Sequence, residues 1–398
     1  MRITTLAALA GALLTAALCA GPAQAGSWQD NQSLGGFNNV HLYTPDSDSP
    51  VGTGKALLIV LHGCTQSINA YKTANLETAA EEFGMVVAVP DAMNKAGFSC
   101  WSYWQGTKSR SAGDYKNLID LANELSSDSG RGIDPNQVYI AGLSSGASFA
   151  NTTACLAPDV FAGVGVSAGP SVGTSSSGAI GPCEQADVES RCRNLGGAYQ
   201  SAFDTQVASI AHGDADTTVN TCYNRQNAEG MAGLYGVSEL AGSTTLNQDG
   251  GSAEEYLWQD GRVSMLWLNG LDHSWSGGQG ASGSYIGSAS INYARYLGEF
   301  FSNNNARVDR NLAPSLSQVS AAPDGDRIQV SGYADDEDGS VSRVEIVIDG
   351  LDGGGDNLTA EVDGSGFFQA ASASLADGLY AVAVVAVCAW CWLRMWPK

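Results

Sequence analysis

The chain has 398 residues, of which 44% are hydrophobic, and its formal net charge at pH 7 is −22. This length allows one large domain and one small one, and this hydrophobic content excludes a disordered chain. The negative charge argues against nucleic acids and anionic membranes as partners, since both would repel the protein. We therefore expect a globular protein, acting as a monomer on a neutral or cationic molecule.

Residues 1–25 have the features of a secretory signal peptide. Arg2 supplies a positive charge, the apolar run Leu6–Ala20 is too short to span a bilayer, and Ala23-Gln24-Ala25 fits an A-x-A cleavage site. We expect cleavage after Ala25 and export to the extracellular space without a membrane anchor.

Six cysteines lie in one block, and export would place them in an oxidising compartment where disulfides form. They are Cys64, Cys100, Cys155, Cys183, Cys192 and Cys222. The even number predicts three bridges, but the sequence alone allows many pairings. A Cys64–Cys100 bridge is one hypothesis, because it would tie two functional loops together.

Between residues 26 and 302, short apolar runs alternate with segments of helical spacing. The runs are Val40–Tyr43, Ala56–Leu61, Met85–Pro90, the segment before Gly142, Phe161–Ser167, Val207–Ala211 and Val263–Leu268, and the helical segments include Asn75–Phe83, Tyr115–Leu125 and Ser290–Phe301. Continuously apolar runs are typical of strands that are buried on both faces. This alternation predicts an α/β domain with a doubly wound, mostly parallel sheet.

The pattern changes after residue 302. Residues 303–313 are predicted to be a linker, and residues 314–387 a small immunoglobulin- or fibronectin-like β-sandwich, because short alternating strands and turn signals follow one another there. Asp335–Gly339 resembles part of a calcium loop, but its flanking strands favour an acidic turn, so we predict no metal. Residues 388–398 break this pattern and are interpreted as an aberrant or truncated tail.

The central motif is Gly142-Leu143-Ser144-Ser145-Gly146, which follows a β-prone run and precedes small, helix-compatible residues. In a nucleophile elbow the serine occupies a strained strand-to-helix turn, and a Cβ on either flanking glycine would collide with neighbouring backbone. Ser144 is therefore the candidate nucleophile.

The oxyanion hole is expected to use the backbone N–H groups of Ser145 and Cys64. The buried strand Ala56–Leu61 runs directly into His62-Gly63-Cys64, and such a loop supplies the second oxyanion donor. A Cys64 thiol nucleophile is the weaker alternative, because no base is evident near it in the sequence.

A serine hydroxyl needs a neutral imidazole to accept its proton and a carboxylate to orient that imidazole. His212 and His273 are the histidines that follow Ser144. The expected chain order is serine, acid, histidine, and His273 fits it because His273 follows the last strand. His212 precedes the acid candidates and would reverse the order, so His273 is predicted to be the base.

Asp214, Asp216 and Asp272 compete for the role of the acid. Asp272 adjoins His273, and adjacent residues rarely turn their side chains toward each other. Asp216 lies farther along its loop than Asp214 and can turn back toward the imidazole. We therefore predict Asp216 as the acid and expect no cofactor, since this chemistry needs none.

The sequence contains an aromatic loop, Cys100-Trp101-Ser102-Tyr103-Trp104. Two interpretations of this loop are open. It forms either a local hydrophobic cluster or an exposed apolar platform beside the serine. On the second reading Trp101, Tyr103 and Trp104 contact the substrate, and we place Trp275, close to His273 in the chain, with them.

Together these motifs resemble the esterase family of extracellular polyhydroxybutyrate depolymerases, over about Leu42 to Phe301. The matching segments are Leu61-His62-Gly63-Cys64-Thr65-Gln66, Cys100-Trp101, Ile133-Asp134-Pro135-Asn136-Gln137-Val138-Tyr139, Gly142-Leu143-Ser144-Ser145-Gly146, His212-Gly213-x-x-Asp216-x-x-Val219 and His273-x-Trp275-Ser276-Gly277-Gly278. The resemblance implies an α/β-hydrolase fold, the triad Ser144, Asp216 and His273, and Cys64 as an oxyanion residue.

The same resemblance implies a polyester polymer or oligomer as substrate, with poly(3-hydroxybutyrate) as the leading expectation. The family also contains feruloyl and acetylxylan esterases, so a polysaccharide ester stays open as the alternative. A third possibility is an adhesion or binding protein on an inactive hydrolase scaffold, although all the catalytic residue types are present.

Overall fold

The computed structural model describes residues 26–308, 314–336, 340–351 and 353–388. The predicted signal peptide, residues 309–313 of the predicted linker and residues 389–398 of the predicted tail lie outside this part. The described chain forms two compact units, one ending at residue 308 and one beginning at residue 314.

The first unit is built on a ten-stranded sheet. Its strands are β1 (Ser27–Leu34), β2 (Phe37–Thr44), β3 (Lys55–Leu61), β4 (Met85–Pro90), β5 (Ile133–Leu143), β6 (Gly163–Ser167), β7 (Val207–Gly213), β8 (Thr244–Gln248), β9 (Gly251–Leu257) and β10 (Val263–Leu268). Their spatial order is β1-β2-β4-β3-β5-β6-β7-β10-β9-β8. Neighbours from β4 to β10 in this order pair parallel, and antiparallel strands flank them on both sides.

Helices cover both faces of this sheet. They are α1 (Leu76–Phe83), α2 (Gly113–Ser127), α3 (Ser145–Leu156), α4 (Ser176–Ile180), α5 (Val188–Gly196), α6 (Cys222–Tyr235) and α7 (Tyr293–Asn304). Within the described residues, no helix is long and apolar enough to cross a membrane.

Strand β3 shows why both faces are covered. Successive side chains of a strand point to opposite faces, so Leu57 and Ile59 join the core beneath α2, α3, α5 and α6, whereas Leu58 joins the core beneath α1 and α7. All three are fully buried. The predicted doubly wound, mostly parallel sheet is confirmed.

Several elements of the first unit were missed by the sequence analysis. Strands β1 and β8 at the sheet edges consist mainly of polar residues that are exposed or half-buried, so they carry no hydrophobic signal.

The second unit is a β-sandwich of two three-stranded sheets, as predicted. Its strands are β11 (Ser315–Asp324), β12 (Arg327–Asp335), β13 (Val341–Gly350), β14 (Gly355–Ala360), β15 (Phe367–Ala371) and β16 (Tyr380–Cys388), in the orders β11-β12-β15 and β14-β13-β16. Val330, Ile346 and Phe368 belong to its core. Residues 337–339 of the predicted acidic turn lie outside the described part.

Three disulfides join the six cysteines of the first unit: Cys64–Cys100, Cys155–Cys192 and Cys183–Cys222. The hypothesis of a Cys64–Cys100 bridge is confirmed, and the bridge leaves no free thiol at Cys64 for a cysteine nucleophile.

Candidate active site

Ser144 lies on the turn between β5 and α3. Its φ of 58° and ψ of −120° are unusual for a residue with a side chain, and its N–H donates to the Ser167 carbonyl at 2.9 Å. A Cβ on Gly146 would lie 2.4 Å from the His62 carbonyl oxygen, and one on Gly142 would lie 2.5 Å from the Gly146 carbonyl carbon. These contacts are the steric reason for glycine on both sides of the serine.

His273 and Asp216 meet although they come from different loops. The Nδ1 of His273 lies 2.7 Å from Oδ2 of Asp216, and both residues are only 9% exposed. Gly213, at the end of β7, permits this approach, because a Cβ there would lie 2.2 Å from the Leu271 carbonyl oxygen. The imidazole can therefore receive a proton at Nε2 while the carboxylate binds Nδ1–H.

The other acid candidates have different partners. Oδ1 of Asp214 accepts the Gly270 N–H at 2.7 Å, which ties the loop before His273 to the end of β7. Asp272 accepts the Ser274 hydroxyl at 2.6 Å. These hydrogen bonds do not involve the His273 imidazole. Both carboxylates therefore stabilise the loop around His273.

A second imidazole reaches the same carboxylate. The Nε2 of His212 lies 2.9 Å from Oδ2 of Asp216, and His212 is buried. Oδ1 of Asp216 accepts the backbone N–H groups of Thr218 at 2.7 Å and Val219 at 3.1 Å. Burial raises the pKa of Asp216, but the hydrogen bonds from His212 and His273 outweigh this effect and hold the pKa well below its ordinary value.

The loop after β3 is held by several hydrogen bonds. The buried His62 accepts the Ala92 N–H at Nε2, 3.3 Å away, and its Nδ1–H donates to the Gly63 carbonyl at 2.8 Å. Within a planar trans peptide the carbonyl and the next N–H point in opposite directions, so this bond fixes the direction of the Cys64 N–H. The Gln66 side chain accepts the Gly63 N–H at 2.8 Å.

This loop is also joined to the one that follows β4. The Thr65 N–H donates to the Phe98 carbonyl at 2.7 Å, and the Cys64–Cys100 disulfide makes a second connection beside it. Two links a few residues apart hold the candidate oxyanion loop against its neighbour.

A cavity of about 540 Å³ opens beside these groups. Ser144, Ser145, Cys64 and His273 all line it, whereas Asp216 lies behind His273 and is not part of the lining. The cavity thus brings the predicted nucleophile, base and oxyanion residues to one space that a small ester could enter.

The aromatic residues predicted to contact substrate divide into two groups. Tyr103 and Trp104 line the cavity, although Tyr103 is 3% exposed. Trp101 and Trp275 are fully buried and do not line it. The prediction that Trp101 and Trp275 form a substrate surface is wrong for this structure.

Both buried tryptophans are core residues. Trp101 packs among Phe37, His62 and Phe149, with ring centroids 5.1 to 6.1 Å apart. Trp275 packs between Tyr71 and Tyr293, at 5.8 and 5.3 Å. Hydrophobic burial of these large rings explains their position better than a role in recognition.

Three other apolar side chains, which the sequence analysis missed, surround the mouth of the cavity. Phe98 is 83% exposed, Ile180 74% and Tyr285 43%, and all three line the cavity. They belong to separate segments of the chain, so no sequence periodicity groups them. We call Phe98, Ile180 and Tyr285 the apolar rim.

Disulfides and hydrogen bonds hold the loops that carry this rim. Ile180 ends α4, whose N-cap Ser175 accepts the Gly178 N–H at 3.0 Å, and the Cys183–Cys222 disulfide ties the following residues to α6. The Gln66 side chain donates to the Ser284 carbonyl at 2.8 Å, next to Tyr285. The rim is therefore built on connected loops.

Comparison with known proteins shows the family to which the chain belongs. The family model "Esterase PHB depolymerase" matches residues 41–255. The chain is 33% identical to a poly(3-hydroxybutyrate) depolymerase of Ralstonia pickettii over 79% of this chain and 69% of that protein. It is 27% identical to acetylxylan esterase A of Aspergillus ficuum over 59% of this chain and 80% of that protein.

A solved structure, the acetyl xylan esterase from Aspergillus awamori, has the same fold with a TM-score of 0.50 and 21% identity, covering 62% of this chain and 94% of that one. The structural comparison and the sequence comparisons therefore both identify similar proteins that are esterases or polyester depolymerases. The chain belongs to the PHB depolymerase family of esterases and is a carboxylic ester hydrolase.

Proposed function

We propose that the protein is an exported serine esterase that hydrolyses poly(3-hydroxybutyrate) or a related short-chain polyhydroxyalkanoate. The observation that carries this proposal is the His273–Asp216 pair beside a cavity that Ser144 lines and an apolar rim surrounds. The similarity to the Ralstonia pickettii depolymerase supports the polyester as substrate. Three disulfides support export, since such bonds persist in oxidising compartments.

The proposed reaction passes through an acyl-enzyme. The Ser144 hydroxyl attacks the ester carbonyl while Nε2 of His273 takes its proton, and the N–H groups of Ser145 and Cys64 bind the developing oxyanion. The ester C–O bond then breaks, and the alcohol leaves with the proton from His273. Asp216 stays ionised and stabilises the imidazolium throughout.

A water molecule completes the cycle. His273 takes one proton from the water, the resulting hydroxide attacks the acyl carbonyl, and the Ser144 oxygen leaves as a hydroxyl after recovering that proton. The products are a shortened polyester with a free carboxylate and an alcohol-terminated fragment.

The rival proposal is a carbohydrate esterase that removes acetyl or feruloyl groups from xylan. It is supported by the similarity to acetylxylan esterase A. The apolar rim favours the polyester, because a polysaccharide presents hydroxyl groups that would lie against Phe98 and Ile180 without hydrogen-bond partners.

The decisive experiment measures three products side by side with one enzyme preparation. Release of 3-hydroxybutyrate from polymer film should exceed release of acetate or ferulate from substituted xylan at equal ester concentration. A rate on acetylated or feruloylated xylan higher than the rate on the polyester would overturn the proposed substrate while leaving the esterase assignment intact.

A further inference from the structure

His212 is a buried histidine that the proposed reaction does not use. It is 1% exposed and does not line the cavity, so it cannot take a proton from the Ser144 hydroxyl. Its Nε2 nevertheless lies 2.9 Å from the oxygen of Asp216 to which His273 also bonds. Because that oxygen is a hydrogen-bond acceptor when ionised, Nε2 of His212 carries the proton in this contact.

The Asp216 carboxylate is therefore saturated with donors. One oxygen receives His212 and His273, and the other receives the backbone N–H groups of Thr218 and Val219. Two carboxylate oxygens offer about four acceptor positions, so this carboxylate has no capacity left. A substitution of His212 must then change the strength of the hydrogen bond between His273 and the shared oxygen.

We propose that His212 is a positioning residue. Its Nε2–H orients the Asp216 carboxylate toward His273 and weakens the hydrogen bond that this carboxylate accepts from Nδ1–H of His273. A carboxylate shared by two N–H donors stabilises each less strongly than it would stabilise one. Loss of the His212 donor should therefore strengthen the remaining hydrogen bond between Nδ1–H of His273 and Asp216. This inference rests on the proposed triad.

The other polar groups near His273 do not share the Asp216 carboxylate with it. Asp214 bonds to the Gly270 N–H, Asp272 bonds to the Ser274 hydroxyl, and the Tyr285 ring lies edge-on to His273 with centroids 6.3 Å apart. In the described part of the chain, the ion pairs of Asp216 are formed by the two histidines and by no lysine or arginine.

The test compares the pH dependence of kcat/KM for a soluble ester, p-nitrophenyl butyrate, in wild type, His212→Leu and His212→Gln. Leucine removes the donor, whereas the glutamine amide keeps an N–H donor near the position of Nε2. For His212→Leu we expect the acid limb to move up by about half to one pH unit and the plateau to fall about tenfold or more. His212→Gln should keep the acid limb of the wild type.

His41→Gln is the matched control, since His41 is also a buried histidine, bonded to Asn69 at 2.8 Å, and lies outside the site. It should keep both the wild-type rate and the wild-type acid limb. An unmoved acid limb in a folded His212→Leu enzyme would reduce His212 to a structural role and overturn the proposal.

A second measurement needs no destabilising variant. In wild-type protein with ¹⁵N-labelled histidine, NMR should report His212 as the Nε2–H tautomer, with His212→Gln used for assignment. An Nδ1–H tautomer of His212 would overturn the proposal. A wrong polyester assignment would instead appear as absent release of 3-hydroxybutyrate, which neither measurement uses.

Discussion

The Nδ1 of His273 and Oδ2 of Asp216 lie 2.7 Å apart, although 57 positions separate the two residues in the chain. The contact exists because β7 and β10 are parallel neighbours whose carboxyl ends meet at one edge of the sheet, and both loops begin there. This edge is where open α/β sheets bind their ligands.

Replacement of each carboxylate in turn should distinguish the role of Asp216 from that of the nearby Asp214. Asp216→Asn should lower kcat for p-nitrophenyl butyrate about 10⁴-fold, since the amide cannot stabilise the imidazolium. Asp214→Asn should cost less than about tenfold, because the bond that its carboxylate makes among the described residues is to the Gly270 N–H and not to the imidazole. Equal losses in the two variants would contradict the assignment of Asp216.

Replacement of the nucleophile should abolish turnover without unfolding the protein. We expect Ser144→Ala to lower kcat by roughly 10⁴-fold or more, as the loss of a serine nucleophile typically does. The control is Ser148→Ala, one turn later in α3, which removes a hydroxyl that is fully buried and has no hydrogen-bond partner within the described structure. Circular dichroism should show the same fold in both; full film clearing by Ser144→Ala would refute the proposed mechanism.

The acid limb of activity should reflect a single ionisation. Because the pKa of Asp216 is held well below its ordinary value of 3.8, Asp216 stays ionised as the pH falls toward about 4 and adds no second ionisation to the acid limb. A plot of log(kcat/KM) against pH should therefore have a slope of one on its acid side. A slope of two would mean that Asp216 titrates in the same range.

The lowered pKa of Asp216 also affects how the stability of the fold depends on pH. A carboxylate whose pKa is depressed in the folded state contributes stability that is present above about pH 4 and is lost as the pH falls through the folded-state pKa. Asp216 should thus cause no loss of the free energy of unfolding between about pH 8 and 5. Below about pH 4, urea titrations should show the wild type losing unfolding free energy more steeply than Asp216→Asn, which has no carboxylate to protonate.

Removal of the Cys64–Cys100 bridge should affect both stability and catalysis. The bridge closes a loop across a sequence separation of 36, and its loss in the double variant Cys64→Ala/Cys100→Ala should cost about 2–4 kcal/mol of unfolding free energy. Activity should fall as well, because the Cys64 N–H loses one of its supports. The control, Cys155→Ala/Cys192→Ala, breaks a bridge of similar separation away from the cavity. It should lose similar stability but keep kcat at a temperature where both variants are folded.

Polar substitution of the rim should weaken attack on solid polymer more than attack on a soluble ester. Burial of a Phe or Ile side chain contributes about 1.5–3 kcal/mol, so Phe98→Ser and Ile180→Ser should each reduce adsorption to polyester film roughly tenfold or more. Leu240→Ser is the control, because Leu240 is exposed and apolar but does not line the cavity. Equal adsorption by rim variants and control would exclude the rim as the polymer contact.

Much of the fold followed from local sequence pattern. Strands β3 and β4 were predicted almost to the residue, because a strand buried on both faces must be continuously apolar. The elbow around Ser144 was predictable for a similar reason, since the strand, the turn and the helix are adjacent in the chain. The polar edge strand β1 was missed because its exposed residues carry no such pattern.

Other features depended on distances that the chain order does not contain. The choice between Asp214 and Asp216 and the pairing of the cysteines required the loops to be in place. Trp101 and Trp275 were misjudged because an aromatic residue in a loop has the same sequence signature whether its ring enters the core or faces solvent.

The sequence by itself determined that a serine, an imidazole and a carboxylate would stand at strand ends of an α/β sheet, because strand burial and turn geometry are local properties. Only the tertiary structure decided that His212 shares the carboxylate of Asp216 and that Phe98, Ile180 and Tyr285 surround the cavity. Those relationships join loops remote in sequence, and they arise from the packing of the whole sheet.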